Sequence, residues 1–301
     1  MKAIEGIITA MVTPFNADGT LDAGALRDSV RYQIASGAAG LCPLGGTGEP
    51  LSLTVDEHKQ VIDAVTAEAA GRVPVVIGTL LASQTDIIAC GRHARAAGAD
   101  AIMVIPPYFV VAKPRHIRQH FAAIAESVDM PMVLFHGPAR SGVRLDADTI
   151  LQLLEAVPRF VAIKETSGDL AIAAELLRAG PRGFRVLQGF DEYVLPSYAL
   201  GAHGAVLSLG CLVPNLLRQL QEAVAGGRLS EAQGIQLALL PLCRAIYGEP
   251  NPGPLKHALA MAGRPAGPTR APIYAPSPQT VDALNALLPG VLHAEAGAAR
   301  A

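Results

Sequence analysis

Tryptophan is absent from this 301-residue chain, and Phe, Tyr and Trp together make up only 4% of it. Proteins that bind single-stranded nucleic acids stack the bases on aromatic side chains, and this chain offers little material for such a surface. The formal net charge of −2 adds no basic patch that could neutralise phosphates. We therefore expect no nucleic-acid partner.

Long apolar runs are also missing. No stretch approaches the roughly 20 apolar residues that a membrane-spanning helix requires, so we expect no membrane partner. The N-terminal segment 7–12 could imitate a weak signal sequence. Its β-branched residues and the turn at 16–19 favour a first strand instead.

Cysteine is scarce as well. The four cysteines are Cys42, Cys90, Cys211 and Cys243, and they form no C-x-x-C pair and have no histidine at metal-ligand spacing. Buried free thiols in a reducing cytoplasm are the simplest interpretation. We expect a cytoplasmic protein without a metal site.

What the chain does have is a regular alternation of short apolar runs and amphipathic stretches. The predicted strands are 7–12, 39–43, 74–78, 101–105, 131–135, 160–164, 184–188 and 204–208. The predicted helices between and after them are 22–36, 54–70, 84–97, 114–127, 146–156, 170–179, 191–200 and 214–226. Eight such units indicate an α/β fold, a (β/α)₈ TIM barrel, since no Gly-rich fingerprint of a doubly wound sheet follows the first strand.

The pattern changes after residue 226. Helical periodicity continues at 229–246, 253–262 and 278–290 without further strands. We therefore divide the chain into a barrel (1–226) and a C-terminal helical extension (227–301), and we expect the simple sequence 294–301 to be frayed.

Lys164 is the residue with the strongest chemical implication. It ends the apolar run 160–164, and active sites of such barrels lie at the carboxyl ends of the strands. An ammonium held among apolar side chains has a lowered pKa, and the resulting neutral amine can attack a carbonyl carbon. The alternative is a lysine that reaches solvent from the end of the strand.

The loop after the second predicted strand is rich in glycine. Residues 45–49 read Gly-Gly-Thr-Gly-Glu, directly before a helix that begins with a capping box at Thr54 and Glu57. Closely spaced glycines let backbone N–H groups approach an anion such as a carboxylate. A tight turn without any ligand is the open alternative.

Several segments together resemble the dihydrodipicolinate synthase / N-acetylneuraminate lyase family of pyruvate-dependent class I aldolases. They are 45–49, 135–142 and 163–169, supported by 9–14, 106–109, 189–191 and 249–256. The resemblance implies a homotetrameric barrel enzyme with no cofactor, in which Lys164 forms an imine with a 2-oxo acid, usually pyruvate. It also implies that Gly46 and Thr47 hold the substrate carboxylate and that Val206 lines the pocket.

The chain departs from the family pattern at three hydroxyl positions. Phe135 stands where the family has the proton-relay tyrosine, Gly46 where it has a hydroxyl residue, and Phe109 where the synthase branch has a tyrosine that crosses a subunit interface. A phenylalanine ring can neither donate nor accept a proton. His136 or Tyr108 could replace the missing groups, although His136 faces inward only if its strand has already ended.

Arg140 matches the arginine with which the synthase branch grips the carboxylate of its second substrate. A surface ion pair is the alternative for this arginine. Asp191, after the seventh strand, could contact a substrate hydroxyl or support the site.

The sequence therefore predicts a Schiff-base lyase, an aldolase or dehydratase, acting on pyruvate or a related short 2-oxo acid. One alternative is 4-hydroxy-tetrahydrodipicolinate synthase of lysine biosynthesis. Arg140 favours it, whereas Phe135, Gly46 and Phe109 count against it. The other is a catalytically lapsed protein that only binds a 2-oxo acid, although pure binding would not require Lys164.

Overall fold

Eight parallel strands form the centre of the computed structural model, which describes residues 2–300. They are β1 (Gly6–Ala10), β2 (Gly40–Cys42), β3 (Val76–Gly78), β4 (Ala101–Val104), β5 (Met132–His136), β6 (Phe160–Glu165), β7 (Arg185–Gln188) and β8 (Gly204–Leu207). Neighbours pair in the order β2-β1-β8-β7-β6-β5-β4-β3. A parallel bridge between Leu41 and Val75 joins β2 to the segment before β3 and closes the ring. The predicted TIM barrel is confirmed.

Helices cover the outside of this barrel and continue beyond it. They are α1 (Ala23–Ala35), α2 (Val55–Ala69), α3 (Gln84–Ala96), α4 (Pro114–Val128), α5 (Pro138–Ser141), α6 (Ala147–Ala156), α7 (Leu170–Ala179), α8 (Val194–Ala199), α9 (Pro214–Ala225), α10 (Leu229–Tyr247), α11 (Gly253–Met261) and α12 (Pro278–Ala298). The predicted helix 191–200 is a 3₁₀ turn (Asp191–Tyr193) followed by the short α8. This early turn matters because it places Asp191 at the mouth of the barrel.

Local signals set where the helices begin. The Thr54 hydroxyl accepts from the Glu57 amide while the Glu57 carboxylate accepts from the Thr54 amide, so the predicted capping box is present. Asp22, Asp146 and Asp169 each accept a backbone N–H in the first turn of the following helix.

Side chains alternate along each strand between the barrel interior and the helix layer. On β5, Val133 and Phe135 face the interior, whereas Met132 and Leu134 pack under the helices. Because both faces are covered by protein, the strands read as continuous apolar runs in the sequence. The same alternation sends Lys164 inward and decides which polar residues can reach the active end.

The C-terminal tail is ordered, so the prediction that 294–301 is frayed was wrong for 294–298. Helix α12 runs to Ala298, and the buried Glu295 carboxylate accepts from the backbone amides of Asn215 at 3.0 Å and Leu216 at 2.9 Å. A carboxylate at these N–H groups caps α9 and interacts favourably with its helix dipole. The last helix is thereby fixed to the first helix after β8.

Packing is continuous between the barrel and the extension. Leu217 of α9, Leu239 of α10 and Leu284 of α12 belong to one buried cluster that also includes Leu207 of β8. The division at residue 226 therefore remains a prediction about chain organisation. Among residues 2–300, no helix is both long and apolar enough to cross a membrane.

Candidate active site

A cavity of about 350 Å³ opens at the carboxyl ends of the strands. Six residues considered in the sequence analysis line it: Gly46, Thr47, Phe135, Arg140, Lys164 and Asp191. A second cavity of about 350 Å³ shares Gly46, Phe135 and Arg140 with the first. The structure thus brings together, at the expected end of the barrel, residues that lie far apart in the chain.

Lys164 lies almost fully buried on β6, with 7% of its surface exposed. Within residues 2–300, no carboxylate oxygen lies within 4.0 Å of its Nζ atom. Burial lowers the pKa of Lys164, and Arg140 adds to this effect, while Cys42 and Asp191 oppose it. A lysine in these surroundings can supply a neutral amine far more readily than a solvated one.

Gly189 gives the Lys164 side chain its path into the cavity. A Cβ atom at Gly189 would lie 2.0 Å from Thr166 Oγ1 and 2.9 Å from Lys164 Cε. Any side chain at residue 189 would therefore displace the lysine or the threonine. Thr166 Oγ1 is buried and has no hydrogen-bond partner within the described chain, and Thr166 also lines the cavity.

Phe135 and Lys164 are direct neighbours across β5 and β6. The ammonium nitrogen lies 4.8 Å from the centroid of the Phe135 ring, close enough for a cation–π contact. The residue at the family tyrosine position therefore does stand beside the lysine, but it brings no hydroxyl.

His136 does not enter the cavity. Strand β5 continues through His136, so its side chain faces the helix layer, opposite to Phe135. Its Nε2 atom accepts from the Leu145 amide at 3.1 Å, which leaves Nδ1 as the donor to Glu165 Oε2 at 2.7 Å. Because both ring nitrogens are engaged in a fully buried position, we correct its predicted catalytic role to a structural one.

The glycine-rich loop forms a 3₁₀ turn, Gly46–Gly48, whose first amides have no acceptor within the turn. The Thr47 hydroxyl shares a hydrogen bond of 2.6 Å with Ser208 and accepts from Asn251 Nδ2 at 3.1 Å. Glu49 holds the loop in place, because its Oε1 lies 2.7 Å from the buried Lys256 Nζ. Glu49 therefore has a structural role in this loop.

Arg140 lies on the short helix α5 with an exposed side chain. Within residues 2–300, no carboxylate lies within 4.0 Å of its guanidinium, so the surface ion pair considered as its alternative is not formed. Val206 of β8 packs in the barrel interior together with Phe135. Its predicted contact with substrate stays a prediction.

Tyr108 and Phe109 take different directions. Tyr108 lines the adjoining cavity, and its hydroxyl donates to the Leu80 carbonyl at 3.2 Å. Phe109 has a φ of 68° and a fully exposed side chain. A left-handed backbone is unfavourable for a phenylalanine, so the surrounding segment must impose it.

Sequence reasoning missed three polar residues that line the cavity. Ser208, Tyr247 and Asn251 line the cavity together with Asp191. Ser208 directly follows β8, so the rule for strand ends could have found it. Tyr247 comes from the helical extension, where no local pattern marks it. Asn251 lies in the segment 249–256 that supports the family resemblance, but nothing in that segment assigns it a contact with the glycine loop.

Asp191 and Tyr247 form a buried pair. The Tyr247 hydroxyl donates to Asp191 Oδ2, and the Leu209 amide donates to Oδ1 at 3.1 Å. Burial raises the pKa of Asp191 to about 6, against the opposing effect of these hydrogen bonds and of Lys164. Burial beside the carboxylate also raises the pKa of Tyr247 well above its ordinary value.

Comparisons with known proteins agree with this geometry. The model of the dihydrodipicolinate synthetase family matches residues 3–290. A 4-hydroxy-tetrahydrodipicolinate synthase of Methanothrix thermoacetophila is 39% identical over 269 residues, which cover 89% of this chain and 90% of the relative. The enzyme of the same name from Rhizobium meliloti is 37% identical over 285 residues, which cover 94% and 97% of the two chains.

Solved structures show the same likeness in three dimensions. The 4-hydroxy-tetrahydrodipicolinate synthase of Methylacidiphilum fumariolicum superposes with a TM-score of 0.93 at 31% identity, over 98% of both chains. The dihydrodipicolinate synthase of Aquifex aeolicus gives a TM-score of 0.91 at 31% identity and covers 95% of this chain. The chain belongs to the dihydrodipicolinate synthetase family, and the prediction of a lyase of the class I aldolase type is confirmed.

Proposed function

We propose that Lys164 forms an imine with C2 of pyruvate or a related short 2-oxo acid, and that the enzyme then makes or breaks a bond at the neighbouring carbon. The observation that carries this proposal is a buried lysine, without a carboxylate partner within 4.0 Å in residues 2–300, that opens into a cavity at the active end of the barrel. An iminium ion withdraws electrons from C3, so the enamine formed on loss of a C3 proton can attack an aldehyde or expel a hydroxyl group.

The carboxylate of the 2-oxo acid would bind at the glycine loop. The amides of Gly46 and Thr47 open the 3₁₀ turn, and both residues line the cavity that contains Lys164. Backbone N–H groups at such a turn are suited to an anion. Thr47 would hold its orientation through Ser208 and Asn251, so that the loop is already shaped when substrate arrives.

Arg140 supports an acidic group at the far end of the substrate. Its guanidinium lines both cavities and has no carboxylate partner within 4.0 Å among residues 2–300. A guanidinium in this position can form a two-pronged hydrogen-bonded pair with a carboxylate. The second candidate function, 4-hydroxy-tetrahydrodipicolinate synthase, is favoured by this arginine and by the names of the relatives. Phe135 argues against it because the relay hydroxyl is missing there.

A homotetramer in a reducing compartment is part of the same proposal. The segment 109–111 exposes Phe109 completely and Val111 to 92%, which is unusual for apolar side chains of a monomer. The four cysteines are all buried and free, as expected of a cytoplasmic protein. Sedimentation of the wild type and of Phe109→Asp tests the assembly, since a charge at a buried contact should shift the protein towards smaller species.

Borohydride trapping tests the central claim. We expect that pyruvate and borohydride convert Lys164 to N-carboxyethyl-lysine, which peptide mass spectrometry would locate. Lys256 is the internal control, since it is equally buried but is held by Glu49 and should stay unmodified. An unmodified Lys164, also with longer 2-oxo acids, would refute the imine and favour a protein that only binds its ligand.

A further inference from the structure

Lys164 needs a proton partner, and the usual one is missing from its side of the barrel. Forming an imine requires one proton to leave the amine and another to reach the departing oxygen. Phe135, 4.8 Å from the ammonium nitrogen, carries no ionisable group. His136 is turned away and saturated with hydrogen bonds. Another group that faces the same cavity must therefore carry the proton.

Asp191 and Tyr247 are the groups that meet this requirement. Both line the cavity with Lys164 and Ser208. Tyr247 is 36% exposed as a residue, yet its hydroxyl donates to the carboxylate of Asp191, a residue that is only 2% exposed. The Leu209 amide and the Gln236 side chain hold Asp191 in this position, the latter through the Asp191 carbonyl at 3.1 Å. Because Asp191 is anchored at both its carboxylate and its carbonyl, its position is fixed before substrate binds.

Ser208 links this pair to the glycine loop. Its hydroxyl shares the 2.6 Å hydrogen bond with Thr47, and it also neighbours the Tyr247 hydroxyl. The hydroxyls of Tyr247 and Ser208 thus connect the Asp191 carboxylate to the loop where we place the substrate carboxylate. A substrate held there and joined to Lys164 would lie beside these hydroxyls.

We propose that Asp191 and Tyr247 are the proton shuttle of the Schiff-base cycle, in place of the tyrosine that Phe135 replaces. This inference rests on the proposed function, because it assumes that Lys164 forms an imine. In the resting state Lys164 is an ammonium and Asp191 a carboxylate. One proton passes from the ammonium through the Tyr247 hydroxyl to Asp191, which leaves a neutral amine and a carboxylic acid.

The remaining steps account for every proton. The amine nitrogen bonds to C2, and a nitrogen-bound proton moves to the former carbonyl oxygen to give a carbinolamine. The Asp191 carboxyl then passes its proton through Tyr247 to that hydroxyl, the C–O bond breaks, and water leaves with the bonding electrons. The product is an iminium ion beside a carboxylate. Asp191 next accepts a C3 proton, again through Tyr247, and the C–H electrons form the enamine.

The charges around Asp191 suit this exchange. The titratable groups that face it are Lys164 from β6, Tyr247 and Cys243 from α10, and Cys211 from the turn after β8. Burial raises the pKa of both thiols, so they keep their protons at neutral pH. Lys164 and Asp191 are therefore the groups that exchange the proton. Because burial brings the two pKa values towards each other, the pair can pass one proton back and forth at modest cost.

Exchange of the C3 hydrogens of pyruvate for deuterium in D₂O tests the shuttle without any second substrate. We expect Tyr247→Phe to slow this exchange by about 10²-fold. Tyr198→Phe is the matched control, since its buried hydroxyl has no hydrogen-bond partner within residues 2–300 and Tyr198 packs outside the cavity. The double variant Tyr247→Phe with Phe135→Tyr should regain much of the lost rate, because it places a hydroxyl on the other side of Lys164.

The pH dependence distinguishes a shuttle from a packing role. Exchange by the wild type should fall as pH drops through about 6, where Asp191 becomes protonated while Lys164 remains charged. Tyr247→Phe removes a hydrogen bond that lowers the pKa of Asp191, so this limb should move to higher pH. Asp191→Asn should abolish this fall in exchange rate at low pH.

The two proposals fail in different ways. If the wild type traps pyruvate on Lys164, but Tyr247→Phe and Asp191→Asn exchange deuterium at the wild-type rate, the shuttle is refuted and the imine survives. If the wild type traps no 2-oxo acid, the proposed function fails. A Tyr247→Phe variant that is slow, keeps the wild-type pH limb and is not rescued by Phe135→Tyr would also overturn the shuttle, because it would indicate a structural role.

Discussion

The same substitution at two buried lysines should have opposite effects on stability. Lys164 and Lys256 are 7% and 4% exposed, so a methionine at either position would occupy a similarly buried site. Their partners differ. Lys256 Nζ lies 2.7 Å from Glu49 and donates to the Pro268 carbonyl at 2.8 Å. Lys164 has no carboxylate within 4.0 Å in residues 2–300.

The expected magnitudes follow from these partners. Lys256→Met would leave the fully buried Glu49 carboxylate without its counter-ion, and breaking a buried pair costs about 3–5 kcal/mol. Lys164→Met would remove an ammonium that burial already disfavours, so we expect a gain of about 1–3 kcal/mol. The two variants should therefore differ by about 4–8 kcal/mol in the free energy of unfolding.

The gain at Lys164 should also depend on pH. Burial lowers its pKa in the folded state below its value in the unfolded chain. The free-energy cost of burying the Lys164 ammonium is therefore fully present below the folded-state pKa, and it disappears as pH rises towards the ordinary lysine pKa. Lys164→Met should be most stabilising at low pH within the range where the fold persists.

Denaturant unfolding followed by circular dichroism measures these differences, and borohydride trapping on the same samples reports the imine. Lys164→Met should be more stable and inert, whereas Lys256→Met should be less stable but still trap pyruvate under native conditions. A destabilising Lys164→Met would show that the ammonium is well compensated, and the argument for a readily available neutral amine would fail.

Three further predictions concern other contacts. Arg140→Ala should raise the KM for an acidic second substrate by about 10²-fold while pyruvate trapping persists; unchanged kinetics would remove Arg140 from substrate recognition. Glu295→Ala should lower the free energy of unfolding by about 2 kcal/mol, since it uncaps α9, whereas an equal effect of the exposed-site control Glu222→Ala would contradict this role. Arg270 lowers the pKa of Glu57 to about 2, so Glu57→Gln should cost about 1 kcal/mol at neutral pH, and this difference from the wild type should vanish as pH falls towards 2.

Much of the fold could be predicted from the sequence because the strands and helices carry local signals. Continuous apolar runs, the N-terminal capping residues and the regular spacing identified all eight strand–helix units. Lys164 and the loop with Gly46 and Thr47 were found because each follows a strand, and the barrel geometry brings strand ends together. Phe135 and Lys164 then lie side by side because they lie near the ends of neighbouring strands, β5 and β6, that pair in this register.

The rest depends on contacts between distant parts of the chain. The direction of His136 was decided by one extra residue of β5, which no local signal fixes. Order in the tail depends on Glu295 meeting the start of α9, and a simple composition conceals that contact. Tyr247 lies on an amphipathic helix like many others, and only the folded chain shows that its hydroxyl reaches Asp191.

The origin of Tyr247 and Asn251 has a consequence for engineering. Tyr247 ends α10 and Asn251 lies in the turn between α10 and α11, and a designer who trims the chain to its eight strand–helix units would remove both. A minimal scaffold ending at Ala225 would keep the reactive amine and lose Tyr247, the partner of Asp191, together with one hydrogen bond to Thr47. Transferring this chemistry to another scaffold would thus also require the part of the C-terminal helical extension that carries Tyr247 and Asn251.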